Sequence, residues 1–523
     1  MNTTILLGLL CLPGLNSTAP SAGDHALETN ALRKPTLHTG GNCVIRNVTI
    51  HSAVGPETRG DVYVRDGDIA AIGTSLEVPA GIRAIDGSDK HLAPGVIDNH
   101  SHMAVDGSVN EGSLSITCEV DISDVLDPTD ETIYRALAGG VTAARILHGS
   151  ATAIGGRHEV IKLKWDRRPE ELKFPGAKEG VKFALGENPK QSNGGGGTRF
   201  PDSRMGVEAL YYRAFTRARE YAQEWKAFEA LQAAGKDPMP PRRDVRLDAL
   251  RGILEGTIDV HSHCYRADEI LMLLRVADSY GFHIKTLQHV LEGYKVAFEM
   301  AAAGVGGSTF GDWWAYKIEA YDAIPQNAAL LDAAGVVTSV NSDDAEMGRR
   351  LYGEAAKSIR YGGMDPVRAL DLVTLNSAKQ LGIDGRTGSI EVGKDADLVL
   401  LNGEPLSSLA RAGLPFAIES SDSENPRNVV FHAAMAAAYG LPHDEAVRAV
   451  TLYAARTLGL DKELGSLTVG KRGDVVVTEG DLLDIRAKVD MVFIDGVQQS
   501  VKNRQTELYE RYKARLERKR AKK

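Results

Sequence analysis

Eight short apolar runs, most of them separated by stretches of helical period, occupy the middle of this 523-residue chain and limit its fold more tightly than any other feature. They are the run opening at Val96 and residues 141–147, 159–164, 181–185, 257–263, 283–289, 305–310 and 336–341. Runs of this length, bounded by turn residues, read as buried strands. Apolar residues at helical spacing fill most of the gaps, notably 205–234, 244–255, 266–280 and 322–334. Eight strands interleaved with helices over this length predict the α/β class and a (β/α)8 TIM barrel, expected over 94–384. Upstream, short alternating runs with an Asp66-Gly67 turn predict strands of a small β-sandwich over 42–93.

The ends of the strands carry the chemistry. The first run leaves a Pro94-Gly95 turn and reads Val96-Ile97-Asp98-Asn99-His100-Ser101-His102. Side chains alternate along a strand, so His100 and His102 face the same way and can share one metal ion. Barrel enzymes place catalytic groups at the C-terminal ends of strands. There the fifth run ends in His261-Ser262-His263-Cys264, the sixth in Gln288-His289 and the eighth in Asn341-Ser342-Asp343-Asp344. These supply imidazoles and a carboxylate able to converge on one or two metals. Zinc accepts such nitrogen and oxygen donors and keeps a position open for water. The Gly-rich run 193–198 lacks the Gly-Lys-Ser/Thr ending of a phosphate loop and reads as a loop at the barrel mouth.

Composition narrows the alternatives. A formal net charge of -9 argues against a general nucleic-acid binder. The four cysteines lie far apart without a CxxC pair, so neither a disulfide framework nor a thiolate zinc site is expected. Residues 1–22 combine an apolar run (Ile5 to Leu10) with a small-residue stretch (Ser17 to Ala22) and resemble a secretory signal lacking its basic start. That predicts an exported or periplasmic protein, or a cytoplasmic one if the leader is not cleaved. No later stretch is apolar for long enough to span a membrane. The basic tail, 501–523, reads as a solvated helix.

The C-terminal part repeats itself. Val373 to Ala378 recurs as Val450 to Ala455, and Gly388 to Lys394 as Gly465 to Lys471, both at an offset of 77. Asn341-Ser342-Asp343-Asp344 is echoed by Ser420-Ser421-Asp422-Ser423. The last barrel strand, its helices and the return to the sandwich (385–410) thus appear a second time within 415–500. Because it follows directly from the seventh strand, the segment ending at Asp343 is expected to close the barrel. Residues 415–448 would then pack outside it or exchange with another subunit of a homo-oligomer. Asp422 is a possible competitor to Asp343.

With these residues in view, the chain resembles the metal-dependent amidohydrolase superfamily, in particular its imidazolonepropionase-like branch, over about 42–405. The Pro-Gly-x-Ile-Asp-x-His-x-His strand, the His-bearing fifth strand, Gln288-His289, Asn341-Ser342-Asp343 and the Gly393-Lys394-Asp395-Ala396-Asp397-Leu398 phrase carry the resemblance. It implies that His100, His102 and Asp343 hold one divalent metal, most simply zinc, and His263 and His289 a second. His261 would support them from behind. Two metals need a bridging anion, a carboxylated lysine or a glutamate in this superfamily; Glu187 is the first choice, Lys182 and Lys162 the alternatives.

The implied reaction is hydrolysis of an amide C–N bond, cyclic or linear, in a small molecule. A metal-bound hydroxide would attack, Asp343 would act as base and then acid, and His289 would help stabilise the oxyanion. Tyr265, Arg266 and Arg204 are candidates for a substrate carboxylate. A deaminase is disfavoured, because the position three residues past the fifth-strand histidine, a glutamate in family deaminases, is Arg266, or Cys264 if counted from His261. A barrel retained only as a scaffold is the non-enzymatic alternative.

Overall fold

The computed structural model describes residues 39–165, 167–191, 199–314, 316–406, 428–438 and 441–521. The leader (1–22), the Gly-rich loop (193–198) and Asp422 fall outside the described residues.

Strand β1 (Cys43–Ile50) pairs antiparallel with β2 (Thr58–Arg65), which pairs with β3 (Asp68–Gly73). The turn between them needs two left-handed residues, and Asp66 and Gly67 supply φ of 54° and 90°. Strands β4 (Arg83–Asp86) and β5 (His91–Pro94) run parallel to β1. Ile45, Val48, Ile50, Val62, Ile69 and Leu92 form the apolar core of this sheet.

The barrel follows at once. Its strands are β6 (Val96–Ser101), β7 (Val141–Ile146), β8 (Ile154–Lys162), β9 (Gly180–Ala184), β10 (Asp259–Cys264), β11 (Ile284–His289), β12 (Gly306–Thr309) and β13 (Thr338–Val340), paired in sequence order. Every residue of β6 is buried, as a strand covered on both faces must be. The seam between last and first strands is bridged by the Asp343 N–H, which donates to the His100 carbonyl at 2.9 Å. The segment 336–343 therefore takes the eighth place in the sheet.

One strand departs from the regular pattern. β8 lies antiparallel to both β7 and β9, whereas parallel strands alternating with helices were expected. The reason is its connection: residues 147–153 hold no helix, and so short a link can only reverse the chain.

Outside the barrel, the helix Arg204–Ala233 starts at Ser203, whose hydroxyl accepts the Gly206 N–H. It buries Val207, Leu210, Tyr211, Ala214, Phe215 and Ala218, a stripe at helical spacing, in the core that contains Phe183 and Leu185. Strand β14 (Leu398–Leu401) returns to pair antiparallel with β5, and Ile390 enters the core of the first sheet. That six-stranded sheet thus combines N-terminal strands with a later one.

Strands β15 (Val475–Glu479), β16 (Lys488–Ile494) and β17 (Val497–Gln499) form a separate three-stranded sheet. Val492, Phe493 and Ile494 lie in its middle strand, β16. The basic tail forms a helix, as expected, and one face of it is covered rather than solvated. Arg504–Arg520 docks through Leu508 and Leu516 against Tyr294, Ile324 and Leu330, because apolar and aromatic residues at positions 508, 512 and 516 line one face. Among the described residues, no helix is long and apolar enough to cross a membrane.

Candidate metal centre

The ends of β6, β10, β11 and β13 bring five side chains to one mouth. The Asp343 carboxylate is the hub. Its Oδ1 lies 3.0 Å from His100 Nε2 and 3.2 Å from His102 Nε2, and its Oδ2 lies 3.6 Å from His289 Nε2. The His263 ring centroid is 4.7 Å from that of His289, which in turn is 4.6 Å from that of His100. Ligand atoms of His100, His289 and Asp343 all lie within 4.8 Å of one another.

The backbone is bent to achieve this. His289 and Asp343 have φ of 69° and 50°, values a non-glycine residue adopts rarely and most often where function holds it there. Asp98, the acid two residues before His100, does not face the cluster. It anchors the Asp343 loop: Ser342 Oγ lies 2.5 Å from its Oδ2, and the Ser342 N–H donates to its Oδ1 at 3.1 Å. Burial still lifts the Asp98 carboxyl to about 7.

The electrostatics favour neutral imidazoles around one carboxylate. Desolvation lowers His100 to about 3 and pulls His263 and His289 well below the ordinary histidine value. Burial alone would raise Asp343. Electrostatic interaction with the His289 and His100 rings, with hydrogen bonds from His100 and His102, outweighs it and holds the group well below the usual carboxylate range.

Second ring nitrogens fix two of the ligands. His100 Nδ1 is 3.2 Å from Gln288 Oε1, and His102 Nδ1 is 3.1 Å from the Leu147 carbonyl. Such partners orient metal-binding imidazoles. His263 Nε2 and both ring nitrogens of His289 are buried with no hydrogen-bond partner among the described residues. Buried polar nitrogens are rarely left so, and a metal ion is the partner for which this donor set is suited.

The candidates for the bridging group separate clearly. Lys182, on β9, is buried, with Nζ 3.0 Å from His100 Nε2, and desolvation lowers it to about 7. Glu187 lies on the rim loop beyond the same strand and outside the ligand cluster, its own N–H bound to Glu319. Lys162 is excluded by direction. Because β8 is antiparallel, its C-terminal residue faces the opposite end of the barrel, and Lys162 pairs there with Asp395 at 2.6 Å and Asp397 at 2.8 Å.

His261, on the same face of β10 as His263, contacts the guanidinium of the fully buried Arg145. Sequence reasoning missed Arg145; its only signal was an arginine inside an apolar run. Arg204 and Arg266 are occupied in rim ion pairs with Glu269 (3.3 Å) and Asp268 (3.0 Å). Tyr265 is buried beside His263, accepting the Tyr316 hydroxyl at 2.8 Å. An aromatic wall also went unread: Phe310 stacks on His289 at 4.9 Å, and Trp313 on Phe310 at 4.5 Å.

Comparison with known proteins agrees with this geometry. The Amidohydrolase family pattern matches residues 322–432 and again 421–499. Amidohydrolase tasK of Hapsidospora irregularis is 32% identical over an alignment of 378 residues that covers 66% of this chain and 38% of that protein. This chain thus spans well under half the length of that relative. An imidazolonepropionase of Syntrophobacter fumaroxidans is 26% identical over 404 residues, 70% of this chain and 89% of that protein. Among solved structures, an amidohydrolase from Thermotoga maritima superposes with a TM-score of 0.64 at 27% identity, covering 88% of this chain and all of that one. With the eight-stranded barrel and the histidine–aspartate mouth, these matches support the amidohydrolase superfamily and, within it, the imidazolonepropionase-like branch.

Proposed function

We propose that the chain is a metal-dependent hydrolase that cleaves an amide C–N bond, cyclic or peptide-like, in a small molecule. The family generally uses a divalent metal. The observation that carries the reading is the Asp343 carboxylate within 3.6 Å of three imidazoles, those of His100 on β6, His102 just past its end and His289 on β11.

His100, His102 and Asp343 would hold one ion, and His263 and His289 a second. When bound, the metal supplies Lewis acidity and lowers the pKa of water toward neutrality. Lys182 rather than Glu187 is the better bridging group. Its low pKa leaves a fraction of the amine uncharged at neutral pH, the form that can take up CO2.

Asp343 takes a proton from the attacking water as its oxygen bonds to the carbonyl carbon. As the C–N bond breaks, the same proton passes to the leaving nitrogen, giving a carboxylic acid and an amine. Gln288 and the Leu147 carbonyl keep the imidazoles oriented, and His289, flanked by Phe310, stands beside the developing oxyanion.

The test is turnover of a panel of N-acyl amino acids, dipeptides and cyclic amides by the metal-loaded chain. At least one class should be hydrolysed, with kcat falling by about 10³-fold or more in Asp343→Asn. No turnover of any class, or equal kcat in Asp343→Asn, contradicts the reading.

A further inference from the structure

Away from the barrel mouth, two more histidines meet. His51 follows directly on β1 and His91 opens β5. The two strands are parallel neighbours, and the His51 N–H donates to the Leu92 carbonyl at 2.9 Å, which fixes both residues at one end of the sheet. Their rings stack at a centroid distance of 5.1 Å, with His51 Nε2 2.8 Å from His91 Nδ1. Glu57, on the loop entering β2, places Oε2 3.8 Å from the same His51 nitrogen. Ligand atoms of all three lie within 4.8 Å of one another.

We propose that His51, His91 and Glu57 form a second, non-catalytic site for a divalent cation of the zinc class. Two imidazoles and one carboxylate are a donor set that zinc, nickel and cobalt accept and that calcium and magnesium do not favour. Two nitrogens bound to one tetrahedral ion stand about 3.3 Å apart, so the rings need separate by only about half an ångström.

Glu404, three residues past β14, lines with His51 and Glu57 a cleft of about 90 Å³, to which Pro366, Val367 and Leu370 also contribute. Its carboxylate also faces Arg486 at 3.2 Å. Water or Glu404 would complete the coordination. An ion there would tie β1, β5 and the loop entering β2 together beside the return strand. Its role is in stability and does not depend on hydrolysis.

The experiment is metal analysis of the full chain after dialysis against micromolar zinc, beside His91→Asn and Glu57→Gln. Each variant should hold about one zinc per chain fewer than the wild type. Glu57 is exposed, so its substitution leaves the fold in place. With EDTA, the urea midpoints of wild type and Glu57→Gln should coincide, and with zinc the wild-type midpoint should rise further. Equal zinc content in all three proteins, or an equal zinc-induced rise, overturns the site and leaves a hydrogen-bonded histidine pair. Because the readout counts ions, failure here is distinct from failure of the amide-hydrolase reading, which turnover alone tests.

Discussion

At the scale of single residues, one buried carboxylate away from the barrel mouth makes a sharp prediction. Asp371 ends the helix Pro366–Asp371, with Oδ2 3.2 Å from Arg368 and Oδ1 buried without a partner. Desolvation lifts it to about 6 in spite of Arg368. The folded protein therefore binds this proton more tightly than the unfolded chain. Stability contributed by the protonated form is fully present below about pH 4 and is lost as pH rises through about 6. Asp371→Asn cannot ionise. It should match the wild type near pH 4 and exceed it at pH 8 by an amount on the order of 1–2 kcal/mol in urea unfolding. Equal stability at pH 8 would contradict this. Residue scale is also where sequence reasoning was least complete. His100, His102, His263, His289 and Asp343 were legible because strand alternation and strand-end position dictate where such side chains go. Glu187 and Lys182 are both legible as candidates, whereas the 3.0 Å approach of Lys182 Nζ to His100 Nε2 is a contact that spacing does not encode. The partners Gln288, Ser342 and Arg145 act through contacts across the barrel that linear spacing does not encode.

At the scale of elements, strand positions were legible and strand direction was not. A continuous apolar run marks a strand buried on both faces, and each of the eight runs overlaps a barrel strand. Nothing in a run of six residues says which way it points; the seven-residue link before β8 decides that. The reversal sends Lys162 to Asp395 and Asp397, where its side chain is 14% exposed, and so ties the third strand to the return segment. Lys162→Ala would leave Asp397 facing Asp395, with Arg386 as the cation that remains on Asp395. It should lower stability by about 3 kcal/mol while leaving kcat within twofold, as read by urea unfolding and turnover of the metal-loaded chain. The terminal helix offers a second check. Leu508 and Leu516 are 6% and 7% exposed. Leu516→Ala should cost about 2–3 kcal/mol, whereas a helix that was merely solvated would lose almost nothing.

At the scale of the whole molecule, positions 77 apart share local geometry. Thr374 has φ −131° and ψ −95°, and Thr451 has φ −130° and ψ −91°. Each hydroxyl donates to a carbonyl four residues back, Leu370 at 2.8 Å and Val447 at 2.7 Å. Gly388 and Gly465, both at positive φ, lie against Ala378 and Ala455. The surroundings differ. Arg386 pairs with Asp395 at 2.9 Å, and the corresponding residues exchange sign as Glu463 and Arg472 at 3.3 Å. Ile390 is 2% exposed under the N-terminal sheet, and its counterpart Leu467 is 85% exposed. We propose that these are two copies of one unit, of which only the first has N-terminal strands to cover it. Ile390→Asp should then unfold the sheet or cost about 4 kcal/mol, while Leu467→Asp should change stability by under about 0.5 kcal/mol. Similar losses from both would contradict the proposal. The whole account depends on side chains from four barrel strands meeting around metal. Anomalous diffraction at the zinc edge from crystals of the zinc-loaded chain measures that directly. One or two peaks within about 2.0–2.2 Å of donor atoms of His100, His102, His263, His289 and Asp343 are expected. Zinc-loaded crystals with no peak among these five residues would contradict it.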